Sequence, residues 1–215
     1  MILSKETARQ TASQLLQIKA IKLQPEEPFT WASGWNSPIY CDNRVILSHP
    51  KVRNFIRQEM AKAILNKYGK PQYIAGVATG AIAMGVLIAQ EMDIPFVYVR
   101  PEPKSHGRKN QIEGQLKNGA EVVVVEDLVS TGGSSLKAAQ ALREAGAQVL
   151  GMAAVFTYGF PLAEQNFEQA QCELVTLCDY NHLLDVVHGD GLLNDATFQT
   201  LKEWRQSPDT WQLSV

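Results

Sequence analysis

The chain has 215 residues, 45% of them hydrophobic and 20% charged, with a net charge of −2. That length suits one α/β domain with a full core, and a nearly neutral balance without a long basic run argues against nucleic acid as a partner. Cys41, Cys172 and Cys178 lack the spacing of a disulfide framework or zinc site, and the longest apolar run, 149–156, is far short of a membrane span, so a cytoplasmic protein is expected.

In chain order, Ala8, Ala12, Leu15, Leu16 and Ala20 recur at helical spacing and predict an amphipathic helix over 5–21. Residues 29–44, FTWASGWNSPIYCDNR, combine three aromatics with Ser-Gly and Ser-Pro turns before Tyr40, Asp42 and Arg44. The stretch is too irregular for a plain hairpin and too aromatic for a plain solvent loop. It suits a cover that lays an aromatic face over a flat heterocycle; a loop that merely caps the core is the alternative.

Strand and helix begin to alternate at Tyr73. Strands are predicted over 73–77 and 96–99, with a small-residue turn over 78–80 and a helix over 81–91. Parallel sheets gather ligand loops at the carboxyl ends of their strands, so the ends at 76–80, Arg100 and Glu126 are expected to face one crevice. Residues 100–114, RPEPKSHGRKNQIEG, hold Arg100, Lys104, His106, Arg108 and Lys109 among prolines and glycines. Such a segment is either a solvated surface loop or a cationic flap that closes over a polyphosphate.

The most informative stretch is 121–146, EVVVVEDLVSTGGSSLKAAQALREAG. Four valines, 122–125, predict a strand buried on both faces, with Glu126 and Asp127 at its end. A small-residue loop over 128–135 and a helix over 136–145, closed by Gly146, are expected to follow. Backbone N–H groups and hydroxyls from Ser130 to Ser134, with the helix dipole behind them, suit a phosphate monoester without any lysine. Two acids against the same phosphate would repel it, so they suit a diol such as the ribose hydroxyls, or a metal-bridged sugar. Lys137 comes too late for a P-loop, and the acids precede the glycines, unlike a dinucleotide fingerprint. The plainer alternative is an ordinary strand-loop-helix turn with capping serines.

Further strands are expected at 149–156 and 174–177, and a closing surface helix at 194–204. His182, His188, Asp185 and Asp190 are poorly spaced for a metal site.

Residues 122–134 resemble the signature of the type I phosphoribosyltransferases, which bind 5-phosphoribosyl 1-diphosphate (PRPP) through an acidic pair followed by a threonine-glycine phosphate loop. Phe29, Thr30, Ser33 and Gly34, then Ser37, Pro38, Tyr40, Asp42 and Arg44, resemble the hood of the orotate phosphoribosyltransferases. Arg100, Lys104, His106, Gly107, Ile112, Glu113 and Gly114 match their flexible catalytic loop.

The resemblance implies an α/β type I phosphoribosyltransferase fold: a central, mostly parallel sheet flanked by helices, with a small N-terminal hood. It implies a single domain over 1–215, the hood from about 1–45 plus a C-terminal segment and the core about 50–180. The implied reaction transfers the ribosyl 5-phosphate group of PRPP to orotate, giving orotidine 5′-monophosphate and diphosphate in UMP biosynthesis, with Mg2+ required. Lys104, His106 and Asp127 are the implied catalytic residues. PRPP binding is implied for Arg100, Lys104, His106, Glu126, Asp127, Leu128, Val129, Ser130, Thr131, Gly132, Gly133 and Ser134, and orotate binding for Ser130, Tyr40 and Arg44. No side chain is expected to ligate a metal directly. A homodimer is implied, with loop 100–114 acting in the neighbouring subunit.

The sequence departs from the pattern at Ala32, Gly80 and Pro101, where members carry lysines, and near Thr157, where one branch has an arginine that meets the orotate carboxylate. Other phosphoribosyltransferases would keep the signature and alter the hood. A PRPP-sensing regulator would bring a DNA-binding segment, and none is visible.

Overall fold

Four valines place the sheet. In the computed structural model, which describes residues 2–31, 33–102, 111–191 and 193–212, the chain order is α1 (Lys5–Gln17), β1 (Ile21–Leu23), β2 (Phe29–Thr30), β3 (Asn36–Ser37), β4 (Ile39–Cys41), a 3-10 helix (Asn43–Ser48), α2 (Pro50–Tyr68), β5 (Tyr73–Val77), α3 (Ala81–Met92), β6 (Phe96–Val99), β7 (Ile112–Glu113), β8 (Glu121–Val129), α4 (Gly133–Glu144), β9 (Gln148–Thr157), α5 (Pro161–Gln169), β10 (Leu174–Asp179), α6 (Tyr180–Gly189) and α7 (Asp195–Gln206). Among the described residues the main sheet runs β10-β9-β8-β5-β6-β7, parallel except for β7.

Successive residues of a strand face opposite sides, and β8 uses both. Val123 and Val125 enter a core shared with Leu15, Ile56, Ile88 and Leu183, from α1, α2, α3 and α6. Val122 and Val124 enter a second core with Ala138 and Leu142 of α4 and Phe167 of α5. All four valines are fully buried, each worth roughly 1.5–3 kcal/mol. A slip by one residue would exchange the two cores, so the register of the central strand is firmly set.

Three expectations change. The first helix stops at Gln17, because Lys19 takes a left-handed φ of 58° that turns the chain into β1, which pairs antiparallel with β4. The segment 29–44 contains regular pairing after all: Phe29 faces Ser37 and Thr30 faces Asn36 in a short hairpin. The tail helix is not merely a surface element, since Leu201 and Trp204 are fully buried.

Candidate active site

The acids do not end the strand. β8 continues through Glu126 and Asp127 to Val129, because β9 pairs with it as far as Val129 opposite Thr157. The expected loop 128–135 therefore shrinks to Ser130–Gly132, and α4 begins at Gly133 rather than at 136. Serines and glycines are poor helix formers and read as loop; packing recruits them here.

Alternation then separates the acids. Glu126 lies on the α4 side, 5% exposed, where Ser135 Oγ donates to its Oε2 at 2.8 Å and the Asp127 N–H to its Oε1 at 3.0 Å. Burial, reinforced by the neighbouring Asp127, pushes the Glu126 carboxyl well above the usual carboxylate range, against the Ser135 hydroxyl. Asp127 is half-buried and stands against the turn after β5: a Cβ built on Gly80 would lie 2.6 Å from the Asp127 Cγ. A lysine at Gly80 would need that space.

The turn expected to cradle a phosphate is formed. Gly132 takes a left-handed φ of 83° at the N-cap of α4, with no side chain capping the helix, and Gly133 has open space where a Cβ would stand. Among the described residues the start of α4 therefore has no side-chain cap, and the helix dipole adds positive potential there. Ser130 and Thr131 are half-buried and Ser134 is exposed. Val129, fully buried, anchors the loop: its carbonyl accepts from Thr157 Oγ1 at 3.0 Å and Tyr158 N–H at 3.2 Å. Leu128 is half-buried, opposite Phe156.

A cavity of about 350 Å³ opens beside the cradle, lined by Ala78, Arg100, Ser134 and Lys137 among others. The ends of β5 and β6 line one crevice with the start of α4, as the parallel arrangement leads one to expect; Glu126, the third residue expected there, is instead buried against Ser135. Arg100 N–H donates to Gln111 O at 2.8 Å and Gln111 Nε2 to Arg100 O at 2.9 Å, so the basic segment leaves and returns at one point. The Arg100 guanidinium lies 3.5 Å from Glu113. Ile112 and Glu113 are strand β7 rather than loop. Lys104 and His106 lie outside the described residues, as does Ala32.

The hood reaches the site through a residue that pattern reading passed over. Asn43 is 4% exposed, and its Nδ2 donates to the Asp127 carbonyl at 2.6 Å. Its only signal in the sequence was its place between Asp42 and Arg44. Asn166, equally unmarked, donates to the Thr131 carbonyl at 2.9 Å from α5. Arg44 forks onto Asp42 at 2.7 and 2.9 Å, which holds the Asp42 carboxyl below its usual range. Tyr40 is 40% exposed, its ring 5.5 Å from that of Phe29. Asp179 caps α6 by accepting from the His182 N–H; among the described residues no three His, Cys, Asp or Glu side chains gather as metal ligands.

Comparison with known proteins adds to this geometry. Residues 44–179 match the phosphoribosyl transferase domain. The chain is 56% identical to the orotate phosphoribosyltransferase of Porphyromonas gingivalis over 93% of this chain and 95% of that protein. To the orotate phosphoribosyltransferase of Listeria monocytogenes it is 50% identical, over 94% of this chain and 97% of that one. Among solved structures, the orotate phosphoribosyltransferase of Aeropyrum pernix superposes with a TM-score of 0.74 at 26% identity, over 85% of this chain and 99% of that chain.

Proposed function

The chain belongs to the phosphoribosyl transferase domain family, and from that membership we propose that it is an orotate phosphoribosyltransferase, moving the ribosyl 5-phosphate group of PRPP onto orotate in pyrimidine biosynthesis. One juxtaposition carries the reading: a half-buried carboxylate, Asp127, stands against the turn after β5, and that turn shares a cavity with the uncapped N-terminus of α4. A phosphorylated sugar has a diol and a phosphate to offer to such a pair.

In the reaction the bond from ribose C1 to the diphosphate oxygen breaks, its electron pair leaving with diphosphate, while N1 of orotate forms the new bond to C1 and gives up its proton to the departing diphosphate or to water. The N–H groups opening α4, with Ser130, Thr131 and Ser134, hold the 5-phosphate. Asp127 orients the ribose diol, with Glu126 buried beneath it. Arg100 and the turn at 78–80 meet the diphosphate, and Lys104 and His106 neutralise it as it departs. Ser130, Tyr40 and Arg44 face orotate, Arg44 exchanging part of its hold on Asp42 for the orotate carboxylate.

The donor set fits magnesium carried by the substrate better than a protein cage. Such an ion would arrive on the substrate, with Asp127 reaching it through water rather than by direct ligation, and it would supply charge to offset that of the leaving group. A homodimer is supported by the outer face of α3, where Val86 is 43% exposed beside half-buried Ile82, Ala83 and Leu87. In that assembly loop 100–114 serves the neighbouring subunit. Three buried free thiols accord with a reducing cytoplasm.

The test is orotate absorbance followed on adding PRPP and magnesium, with other bases as controls. Loss of the orotate signal only when both are present is expected; consumption of another base instead would overturn the assignment. Activity that survives a chelator would remove the magnesium requirement alone.

A further inference from the structure

The last helix, α7, is tied by polar contacts to two segments adjoining the proposed orotate residues: the β2–β3 hairpin, which leads into Tyr40, and the turn after β9, where Thr157 and Tyr158 hold the Val129 carbonyl beside Ser130. Trp204, fully buried, donates its indole N–H to the Asn36 carbonyl of β3 at 3.1 Å, and its ring meets Trp31 edge-on at 5.6 Å. The next residue turns to the other segment: Arg205 Nε donates to Tyr158 O at 3.2 Å and Nη2 to Gly159 O at 2.7 Å. Tyr180 Oη donates to Leu201 O at 2.9 Å and fixes α7 on α6.

Neither segment sets its own position. The β2–β3 hairpin has two residues in each strand, too few to be stable alone. The turn after β9 passes through Gly159 at a φ of 63° before α5. Trp31 bridges them, its ring 5.0 Å from that of Tyr158. A planar guanidinium on two consecutive carbonyls fixes orientation as well as distance, which a lysine on one carbonyl does not. Residues 195–206 lie outside the matched domain, 44–179, so this tie is an addition to the phosphoribosyl transferase core.

We propose that Arg205, seconded by Trp204, is a positioning residue for the acceptor base: it sets the gap between the hood hairpin and the turn after β9, without touching substrate. The inference rests on the orotate-transfer reading above.

Two measurements on Arg205→Ala and Arg205→Lys test it. In steady-state kinetics KM for orotate rises roughly tenfold in Arg205→Ala and less in Arg205→Lys, while KM for PRPP and kcat stay within about twofold. In amide hydrogen exchange, which needs no substrate, protection of residues 29–37 falls while that of residues 121–129 holds. Unchanged exchange over 29–37 overturns the proposal, and so does a parallel rise in both KM values, the mark of general loosening. If the wild-type chain leaves orotate untouched while exchange still responds, the function reading fails and the tie itself stands. Arg205→Lys carries both measurements should the alanine variant not fold.

Discussion

Glu126 and Asp127 are neighbours in sequence with opposite surroundings, because a strand turns consecutive side chains to opposite faces. Glu126 shares its face with Val122 and Val124 and meets Ser135 of α4; Asp127 shares its face with Val123 and Val125 and meets the turn that opens α3. A carboxyl held above its ordinary value of 4.5 keeps its proton in the folded chain while the unfolded chain loses it. Its contribution to stability is therefore full below that value and declines as pH rises towards the folded group's own ionisation. Glu126→Gln abolishes this titration. Wild-type stability relative to the variant should be lower at pH 7 than at pH 5, by up to about 1.4 kcal/mol for each pH unit over which the folded group keeps its proton. Urea midpoints at the two pH values measure it, and a constant difference would mean that Glu126 is ionised in the fold.

At the scale of elements, the turn between β8 and α4 depends on one glycine. Gly132 combines a left-handed φ with a Cβ direction that would put a methyl 2.7 Å from the Phe167 ring. Gly132→Ala should cost roughly 2–4 kcal/mol, from backbone strain and overpacking together. Equilibrium denaturation gives the figure, and Phe167→Leu in the same chain should return the steric share but not the backbone share. A loss below about 0.5 kcal/mol would show that the turn does not need this conformation. The strand, turn and helix of this unit were legible, and Gly146 does follow its helix, at a φ of 85°. Their boundaries were not. The pairing of β8 with β9 extends the strand past its acids, and the Ser135–Glu126 bond draws small residues into α4. Likewise β7 hid inside a stretch that reads as loop, because two residues carry too little pattern to show a strand.

At the scale of the molecule, α3 packs one side on the sheet and leaves Val86 at 43% exposure among apolar neighbours. If two chains meet there, Val86→Glu buries an unpaired carboxylate in the interface and should shift the mass in solution from two chains to one. Light scattering over a range of concentration measures this, and a wild-type chain that stays single at every concentration would remove the dimer. The variant's melting transition should remain cooperative, because Val86 takes no part in either core.

The family, the order of its motifs and the strand-turn-helix unit with its uncapped helix start were readable in the linear chain, because each depends on residues close in sequence: a β-branched run, two acids, a string of small hydroxylated residues and a helix behind them. Asn43 on the Asp127 carbonyl, Asn166 on the Thr131 carbonyl and Arg205 on Tyr158 and Gly159 were not readable. Each joins segments between 35 and 84 positions apart or spans 46 and 47. A polar side chain of common type carries no mark of the carbonyl it will meet until packing has brought the two together. The division of labour between the acids arose in the same way: adjacency was written in the sequence, whereas the face each one received came from which helix packed on which side of β8.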